Sequence, residues 1–326
     1  MLIQAWRSLN RSSMITPILA IIVVVVINII LQDTFFTPYT FRSNMSTFLS
    51  LILLAMGQAV VLISGEIDLS IGNVAALSNC VCATVLIANP TAFIPAFVAA
   101  ALVGVACGAF NGFVVNYFRL PSMVATFATA SVFFGIALYI MPTSSALVDT
   151  SCASIYSSFL IGGIFPIALL MLIVVVIFWY ILKRYKNFRY IYAVGGNEKA
   201  ARASGINTVM VKTSAYMLCG LFAGIGGIVL TMLFAYGDAY SGTPFALSSI
   251  AAAIVGGIAI QGGKGSLVGA VIGALVFGLL TNVIYYAHLS SHFQELIRGV
   301  IIIAALGIAI MTSTRQRKVK TPGDKL

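Results

Sequence analysis

Apolar runs long enough to cross a lipid bilayer follow one another along almost the whole chain. A transmembrane helix needs about 20 mostly apolar residues. Such helices are predicted at about 14–32, 46–64, 70–89, 93–117, 122–141, 162–182, 212–234, 246–262, 266–286 and 294–312. Only 8% of the 326 residues are charged, against about 25% in soluble domains. The predicted fold class is therefore all-α: a polytopic integral membrane protein with about ten transmembrane helices, some of them broken or re-entrant.

Positive charge falls almost entirely on one side of this predicted topology. Ten spans put both termini on the same side of the membrane. Of the 18 Lys and Arg residues, all but Arg42 and Arg298 then lie in segments on that side. Basic residues accumulate in the cytoplasmic loops of membrane proteins. Cytoplasmic N- and C-termini are therefore predicted. The same bias explains the net charge of +10 without a nucleic-acid partner.

Two carboxylates interrupt one of the most apolar parts of the chain, at "ISGEIDLSIGN", residues 63–73. Glu66 and Asp68 stand between Gly65 and Gly72. A lone charge at the centre of a transmembrane helix costs about 2.5–3.5 kcal/mol on insertion scales. The glycines permit an unwound segment, and the free N–H groups at the start of the next helix favour anions. Three roles stay open for the acids: structural caps, lining of a solute pathway, or a proton site.

Polar side chains around this break are the candidates for a solute pathway. They would have to face away from lipid, since no water satisfies them in the bilayer core. The candidate path residues are Gln58, Glu66, Asp68, Ser70 and Asn73.

Motifs for catalysis are missing from the sequence. No G-x-x-x-x-G-K-[ST] loop, HExxH or GxSxG is present, so an ATP-driven process would need its ATPase on another chain. His288 and His292 have the i, i+4 spacing of metal ligands, but no third ligand is evident nearby. The five cysteines show no metal-binding spacing. We therefore predict no catalytic residue, no metal and no cofactor in this chain.

The longest polar segment, 183–212, contains "GGNEKAARASGI" at 195–206. Asn197 is a plausible helix N-cap, Glu198 suits the first turn, and Gly205 can end the helix. The composition is compatible either with a short helix presented to the cytoplasm or with an ordinary polar loop.

Three long motifs, in order, resemble one known family. They are "GEIDLSIG" at 65–72, "YAVGGNEKAARASGI" at 192–206 and "SIAAAIVGGIAIQGGKGSLVGAVIGAL" at 249–275. Together they resemble the permease subunits of bacterial ABC sugar importers of the ribose-type branch (carbohydrate uptake transporter-2), over roughly residues 45–310. The whole chain, 1–326, would then be one transmembrane permease domain. Its cytoplasmic coupling loop would be 183–212 and its basic cytoplasmic tail 313–326.

The resemblance implies a transport path for a monosaccharide or sugar-like solute in the bacterial plasma (inner) membrane. The implied partners are a cytoplasmic ABC ATPase subunit that binds ATP and Mg, an extracytoplasmic solute-binding protein, and a second permease copy or a homologous permease. Pentoses, hexoses, autoinducer-2-like furanoses, polyols and nucleosides all stay open as solutes. The alternative is an autonomous secondary transporter or channel for a small polar solute, with Glu66 and Asp68 as its proton site.

The resemblance also implies roles for individual residues. The loop would dock on the ATPase through Gly195, Gly196, Asn197, Glu198, Ala200, Ala201 and Gly205. The glycines of the broken helices would be Gly65, Gly72, Gly262, Gly263 and Gly269. Many relatives have Gly at the position of Glu66, which favours Glu66 for tuning the path and Asp68 for holding the broken helix. Residues 246–252 lack the two acids common in relatives, so no substrate role of those acids carries over.

Overall fold

The computed structural model describes residues 15–147, 149–160 and 165–287, together with positions 296, 299, 300, 303 and 307. Its longer elements are all α-helices. In chain order they are α1 (Ile15–Leu31), α2 (Pro38–Ile63), α3 (Ile71–Ala88), α4 (Phe93–Tyr117), α5 (Ser122–Ile140), α6 (Ser151–Tyr156), α7 (Ile167–Leu182), α8 (Lys186–Gly196), α9 (Glu198–Ala203), α10 (Thr208–Phe234), α11 (Phe245–Val255) and α12 (Leu267–Tyr286).

Four two-residue strands accompany the helices. Strand β1 (Ser145–Ala146) pairs antiparallel with β4 (Tyr236–Gly237), and β2 (Phe159–Leu160) pairs antiparallel with β3 (Phe165–Pro166). The β1–β4 pair joins the segment after α5 to the segment after α10. The all-α polytopic class predicted from the sequence is confirmed.

Within the described residues, six helices are long and apolar enough to cross a membrane: α2, α3, α4, α5, α10 and α12. The pair α7 and α8, bent by 80° at its break, would add a seventh, whereas α1 and α11 are shorter apolar helices. The predicted count of about ten is therefore not confirmed over the residues described. The tenth predicted span, 294–312, and the tail, 313–326, lie almost wholly outside them. Helix α7 begins at Ile167, after the start of the predicted span 162–182. Helix α10 begins at Thr208, before the start of the predicted span 212–234.

Helix α2 is longer than the predicted span 46–64 because its N-terminus is capped. The Thr37 side chain accepts a hydrogen bond from the Thr40 N–H at 3.3 Å, and Pro38 occupies the first turn. Proline suits that position, since its missing N–H would have no partner inside the helix anyway. The cap therefore moves the start of the helix to Pro38.

Helix α11 is shorter than the predicted span 246–262 and ends at Val255. Gly257 adopts a φ of +85°, and the Ile258 N–H donates to the Ala253 carbonyl oxygen at 3.2 Å. Such a left-handed glycine with its back-bonded neighbour is a common way to end a helix. The residues that follow, 256–266, form an irregular break before α12.

Helix α2 is the central helix of the bundle. Every residue from Phe48 to Ile63 is buried, and α10, α12, α11 and α7 pack around it. A helix that is apolar on all sides is stable only where protein or lipid covers every side. Both ends of the break at residues 64–70 are therefore anchored in the centre of the molecule, because this break connects α2 to α3.

Helices α4 and α10 pack closely through glycines. Gly104, Gly108 and Gly112 recur at every fourth residue of α4 and lie against α10, which carries Gly220 and Gly224. A Cβ at Gly104 would overlap the Gly220 carbonyl oxygen. Small residues at i, i+4 spacing let two membrane helices approach until their backbones touch. The contact fixes α10, and with it the chain just after the polar loop, against the rest of the bundle.

Candidate functional site

The three motifs, far apart in the sequence, meet at one end of the bundle. The Gly263 N–H donates to the carbonyl oxygen of Ile63, the last residue of α2, at 2.8 Å. A Cβ on Gly195 would overlap that same oxygen, and a Cβ on Gly262 would lie 2.8 Å from the Gly65 Cα. We call Gly65, Gly195, Gly262 and Gly263 the glycine junction. It brings the polar loop into backbone contact with both helix breaks.

Three residues of the junction also need glycine for their backbone conformation. Gly65, Gly262 and Gly263 have φ values of +87°, +83° and +71°. L-residues with a side chain rarely adopt this left-handed region. At the first break the conformation ends α2, since the Glu66 N–H turns back to the Val61 carbonyl oxygen at 3.1 Å.

Two further glycines predicted at the breaks lie just inside the helices that follow. Gly72, in the first turn of α3, packs against the backbone at Gly242, and Gly269, in the first turn of α12, packs against Gly256. Their role is close packing between backbones.

The polar loop forms the short helix α9, so the alternative of an ordinary polar loop is wrong. The Asn197 side chain accepts from the Ala200 N–H at 3.0 Å, and Glu198 occupies the first turn. Gly205 has a φ of +80°, and beyond it the Ile206 N–H donates to the Ala201 carbonyl oxygen at 3.1 Å.

Helix α9 packs against the protein on one face and is open on the other. Ala201 is buried. The side chains exposed on the other face are Lys199, Ala200, Arg202 and Ala203. Both Gly196 and Gly205 have open space where a Cβ would lie.

A row of alternating charges ties α9 to the first break. The Lys212 Nζ, in the first turns of α10, donates to Glu66 Oε1 at 2.6 Å and to Glu198 Oε2 at 2.7 Å. Arg202 Nη2 donates to Glu198 Oε1 at 3.2 Å. We call these four residues the charge row. The hydrogen bond from Lys212 lowers the pKa of the Glu198 carboxyl below its ordinary value, which favours the ionised form.

Asp68 lies at the other end of the same break and is buried among polar partners. Its Oδ1 accepts from the Ser70 N–H at 2.8 Å and from the Ser70 hydroxyl at 2.7 Å. Its Oδ2 accepts from Asn111 Nδ2 at 3.4 Å and from the Cys219 thiol at 3.7 Å. The Asp68 carboxylate therefore stabilises the turn that leads into α3, and it links this turn to α4 and α10.

Neighbouring polar groups extend this network into α2 and α5. With its amide oriented to satisfy its neighbours, Gln58 donates to the Asp68 carbonyl oxygen at 3.0 Å and accepts from the Asp68 N–H at 3.2 Å. The Thr129 hydroxyl donates to Asn111 Oδ1 at 2.6 Å. Asn73 Nδ2 donates to the Ala130 carbonyl oxygen at 2.9 Å. Five helices, α2, α3, α4, α5 and α10, thus meet around the break.

Comparison with known proteins identifies the family. Residues 40–306 match the family described as Branched-chain amino acid transport system / permease component. The chain belongs to this family. It is therefore a multi-pass membrane permease.

Three named relatives are aligned over most of this permease. It is 33% identical over 309 residues to the Ribose import permease protein RbsC of Escherichia coli (strain K12), covering 93% of this chain and 94% of the relative. It is 33% identical over 258 residues to the D-allose transport system permease protein AlsC of the same strain, covering 79% of each. It is 30% identical over 305 residues to the Autoinducer 2 import system permease protein LsrC of E. coli (strain K12 / DH10B), covering 92% and 87%. No solved structure matches the chain. These relatives confirm the predicted resemblance to permease subunits of ABC sugar importers. They do not favour the alternative of an autonomous secondary transporter or channel.

The permease places its five predicted path residues in three different settings. Gln58, Asp68 and Ser70 are buried and hydrogen-bonded to one another. Asn73 is half-buried and bridges to α5. Glu66 lies away from them, in the charge row. Their role in lining a path stays a prediction.

Sequence reasoning missed the part that Lys212 plays. We counted this residue only as one cytoplasmic positive charge. A single Lys just after a helix cap and just before a long apolar run is a weak local signal, and its partners come from two other motifs. Long-range ion pairs of this kind are not encoded in local spacing.

In the part of the chain that the structure describes, no three His, Cys, Asp or Glu side chains lie together as metal ligands would. All five cysteines are free and buried. His288 and His292 lie outside the described residues.

Proposed function

We propose that this permease carries a monosaccharide or a sugar-like solute across the membrane, with energy from ATP that is hydrolysed on a separate subunit. The names of its relatives support the solute class, since they concern ribose, D-allose and autoinducer 2. The observation that carries the mechanism is the glycine junction. Through it, the last turn of α8, which leads directly into the exposed helix α9, is in direct backbone contact with both helix breaks.

The ATPase subunit would dock on the exposed face of α9. ATP and Mg would bind to that subunit and not to this chain, whose sequence has no phosphate-binding loop. A solute-binding protein would deliver the solute on the extracytoplasmic side. A second permease copy or a homologous permease would complete the path, and both termini would lie in the cytoplasm of the bacterial cell.

Movement of the ATPase would reach the path through the junction. Interfaces packed backbone to backbone have little compliance, so a displaced element carries its neighbour with it. Helices α3 and α12 both begin at breaks that touch the junction. A shift of α9 would therefore change the position of both helices together, which is the kind of rigid-body switch that an importer requires.

Replacing Gly205 with valine should uncouple ATP hydrolysis from transport. The left-handed backbone at Gly205 costs a β-branched residue about 1–3 kcal/mol, although the surrounding space is open. The end of α9 should therefore change shape while the buried bundle stays intact. We expect normal membrane insertion, continued ATP hydrolysis by the assembled complex, and solute uptake reduced about tenfold, within the usual range of coupling between sites.

The matched control is Gly135→Ala, in α5, where a Cβ also meets open space and φ is helical. This variant should transport like the wild type. Wild-type uptake in Gly205→Val, measured with radiolabelled sugar in vesicles that contain the complete importer, would count against the docking role of the loop.

A further inference from the structure

Lys212 joins two segments that belong to different motifs. Its ammonium group contacts Glu66, in the break after α2, at 2.6 Å and Glu198, in the first turn of α9, at 2.7 Å. Lys212 itself lies near the start of α10, which is anchored to α4 by the glycine contact. One side chain therefore connects the break, the helix α9, which we call the docking helix, and the body of the bundle.

The two ends of the charge row differ in their exposure. The side chains of Lys212 and Glu66 are each 14% exposed, whereas the Arg202 side chain is 66% exposed. Water and salt weaken exposed ion pairs until they contribute little, and they screen partly buried pairs much less. Within the charge row, the ion pair between Lys212 and Glu66 is therefore the contact that water and salt weaken least.

Charge balance in the row depends on Lys212. With Lys212 present, Glu66, Lys212, Glu198 and Arg202 alternate in sign and sum to zero. Without it, two carboxylates face the space that one ammonium had occupied, and like charges repel. The docking helix and the break would then be pushed apart at the point where they are now held together.

The break passes this constraint on to the transmembrane helices. Two residues after Glu66, Asp68 is hydrogen-bonded to Ser70, and Asn111 of α4 contacts both of them. Residues 64–70 are thus fixed to α9 at one end and to the interior of the bundle at the other. A displacement of Glu66 is therefore passed on to α4 over a short, continuous set of hydrogen-bonded residues.

We propose that Lys212 is a positioning residue for the coupling of ATP hydrolysis to transport. It acts through Glu66 and Glu198, and holds the docking helix to the break so that both move as one unit. This role rests on the proposed function, because it requires an ATPase that moves α9.

The test is the number of solute molecules imported for each ATP hydrolysed by the complete importer in vesicles. In Lys212→Met we expect this ratio to fall about tenfold, within the usual range of coupling between two sites. Apparent affinity for the solute-loaded binding protein should stay unchanged, since that protein docks on the opposite side. Lys212→Arg keeps the charge and should retain a ratio within about threefold of the wild type.

A matched control removes the same charge elsewhere on the same side. Arg119, between α4 and α5 and outside the polar loop, is exposed. Arg119→Met should therefore keep the wild-type ratio. A fall of equal size in this control would show a general effect of charge and overturn the role of Lys212.

A second variant tests the same contact from its other end. Glu66→Gln keeps the size of the side chain and removes its charge, and should lower the ratio as Lys212→Met does. If the two residues act through one contact, the double variant should be no worse than the poorer single variant. Multiplied effects in the double variant, or a wild-type ratio in Glu66→Gln, would overturn the proposal even if Lys212→Met failed to fold. Absence of ATP-dependent uptake in the wild-type complex would instead overturn the proposed function itself.

Discussion

Gly195→Ala is expected to disrupt the glycine junction and to lower the free energy of unfolding by about 4 kcal/mol or more. The added Cβ would overlap the Ile63 carbonyl oxygen and lie 2.8 Å from the Gly263 N. These two backbone atoms are hydrogen-bonded to each other at 2.8 Å. Because all the neighbours are backbone, no side chain can rotate to make room, and the loop has to leave the break.

Thermal melting of the purified permease in detergent measures this loss. Gly196→Ala is the matched comparison, since it adds the same methyl group one residue later, where nothing lies within 4 Å. We expect the apparent Tm to fall by about 8 °C or more in Gly195→Ala and to stay unchanged in Gly196→Ala. Equal melting of the two variants would show that the junction is not packed as described.

Asp68→Ala is expected to destabilise the permease by about 2–5 kcal/mol. Asp68 is 2% exposed, and its loss leaves the N–H and the hydroxyl of Ser70 without their acceptor in a buried site. Buried polar groups without partners carry the full cost of desolvation. Asp68→Asn keeps one acceptor oxygen, so its loss of free energy of unfolding should be about half of the loss in Asp68→Ala.

Glu66→Gln provides the contrast that separates the two acids. It removes one of the two ion pairs of Lys212 and leaves Lys212 paired with Glu198, so its effect on the free energy of unfolding should stay within about 1 kcal/mol. Denaturation curves for the Asp68 and Glu66 variants, recorded under one detergent condition, give both values. Similar losses in both would contradict the division between a structural acid and a coupling acid.

The division between a structural acid and a coupling acid narrows the roles that the sequence left open for Asp68 and Glu66. The sequence allowed caps, path lining or a proton site for both acids. The hydrogen bonds of Asp68 support the structural role, as does its place before the first turn of α3. Glu66 was predicted to tune the solute path, but it is linked to Glu198 of α9 through Lys212. We therefore propose coupling as its role.

Local features of the site could be predicted because local chemistry encodes them. The cap at Asn197, the acid in the first turn and the stop at Gly205 are read from consecutive residues, and α9 has these features. The break after α2 follows from glycines flanking two acids in an apolar run. In both cases the backbone preference of a few residues decides the structure.

Contacts between motifs could not be predicted in the same way. The hydrogen bond from Gly263 to Ile63 and the ion pair from Lys212 to Glu66 join residues that no periodic pattern relates. The glycines of α4 at positions 104, 108 and 112 did carry a readable signal, because i, i+4 spacing of small residues is typical of close helix contacts. Even so, this spacing marks α4 as a helix that makes a close contact and does not identify α10 as its partner.

The central claim is that ATP on a separate subunit drives this permease through its cytoplasmic loop. The most direct test is uptake of radiolabelled sugar into proteoliposomes, with the binding protein outside and ATP with the ATPase inside. We predict uptake only when all these components are present, and none when the chain alone is exposed to an inward proton gradient. Proton-driven uptake by the chain alone would contradict the account.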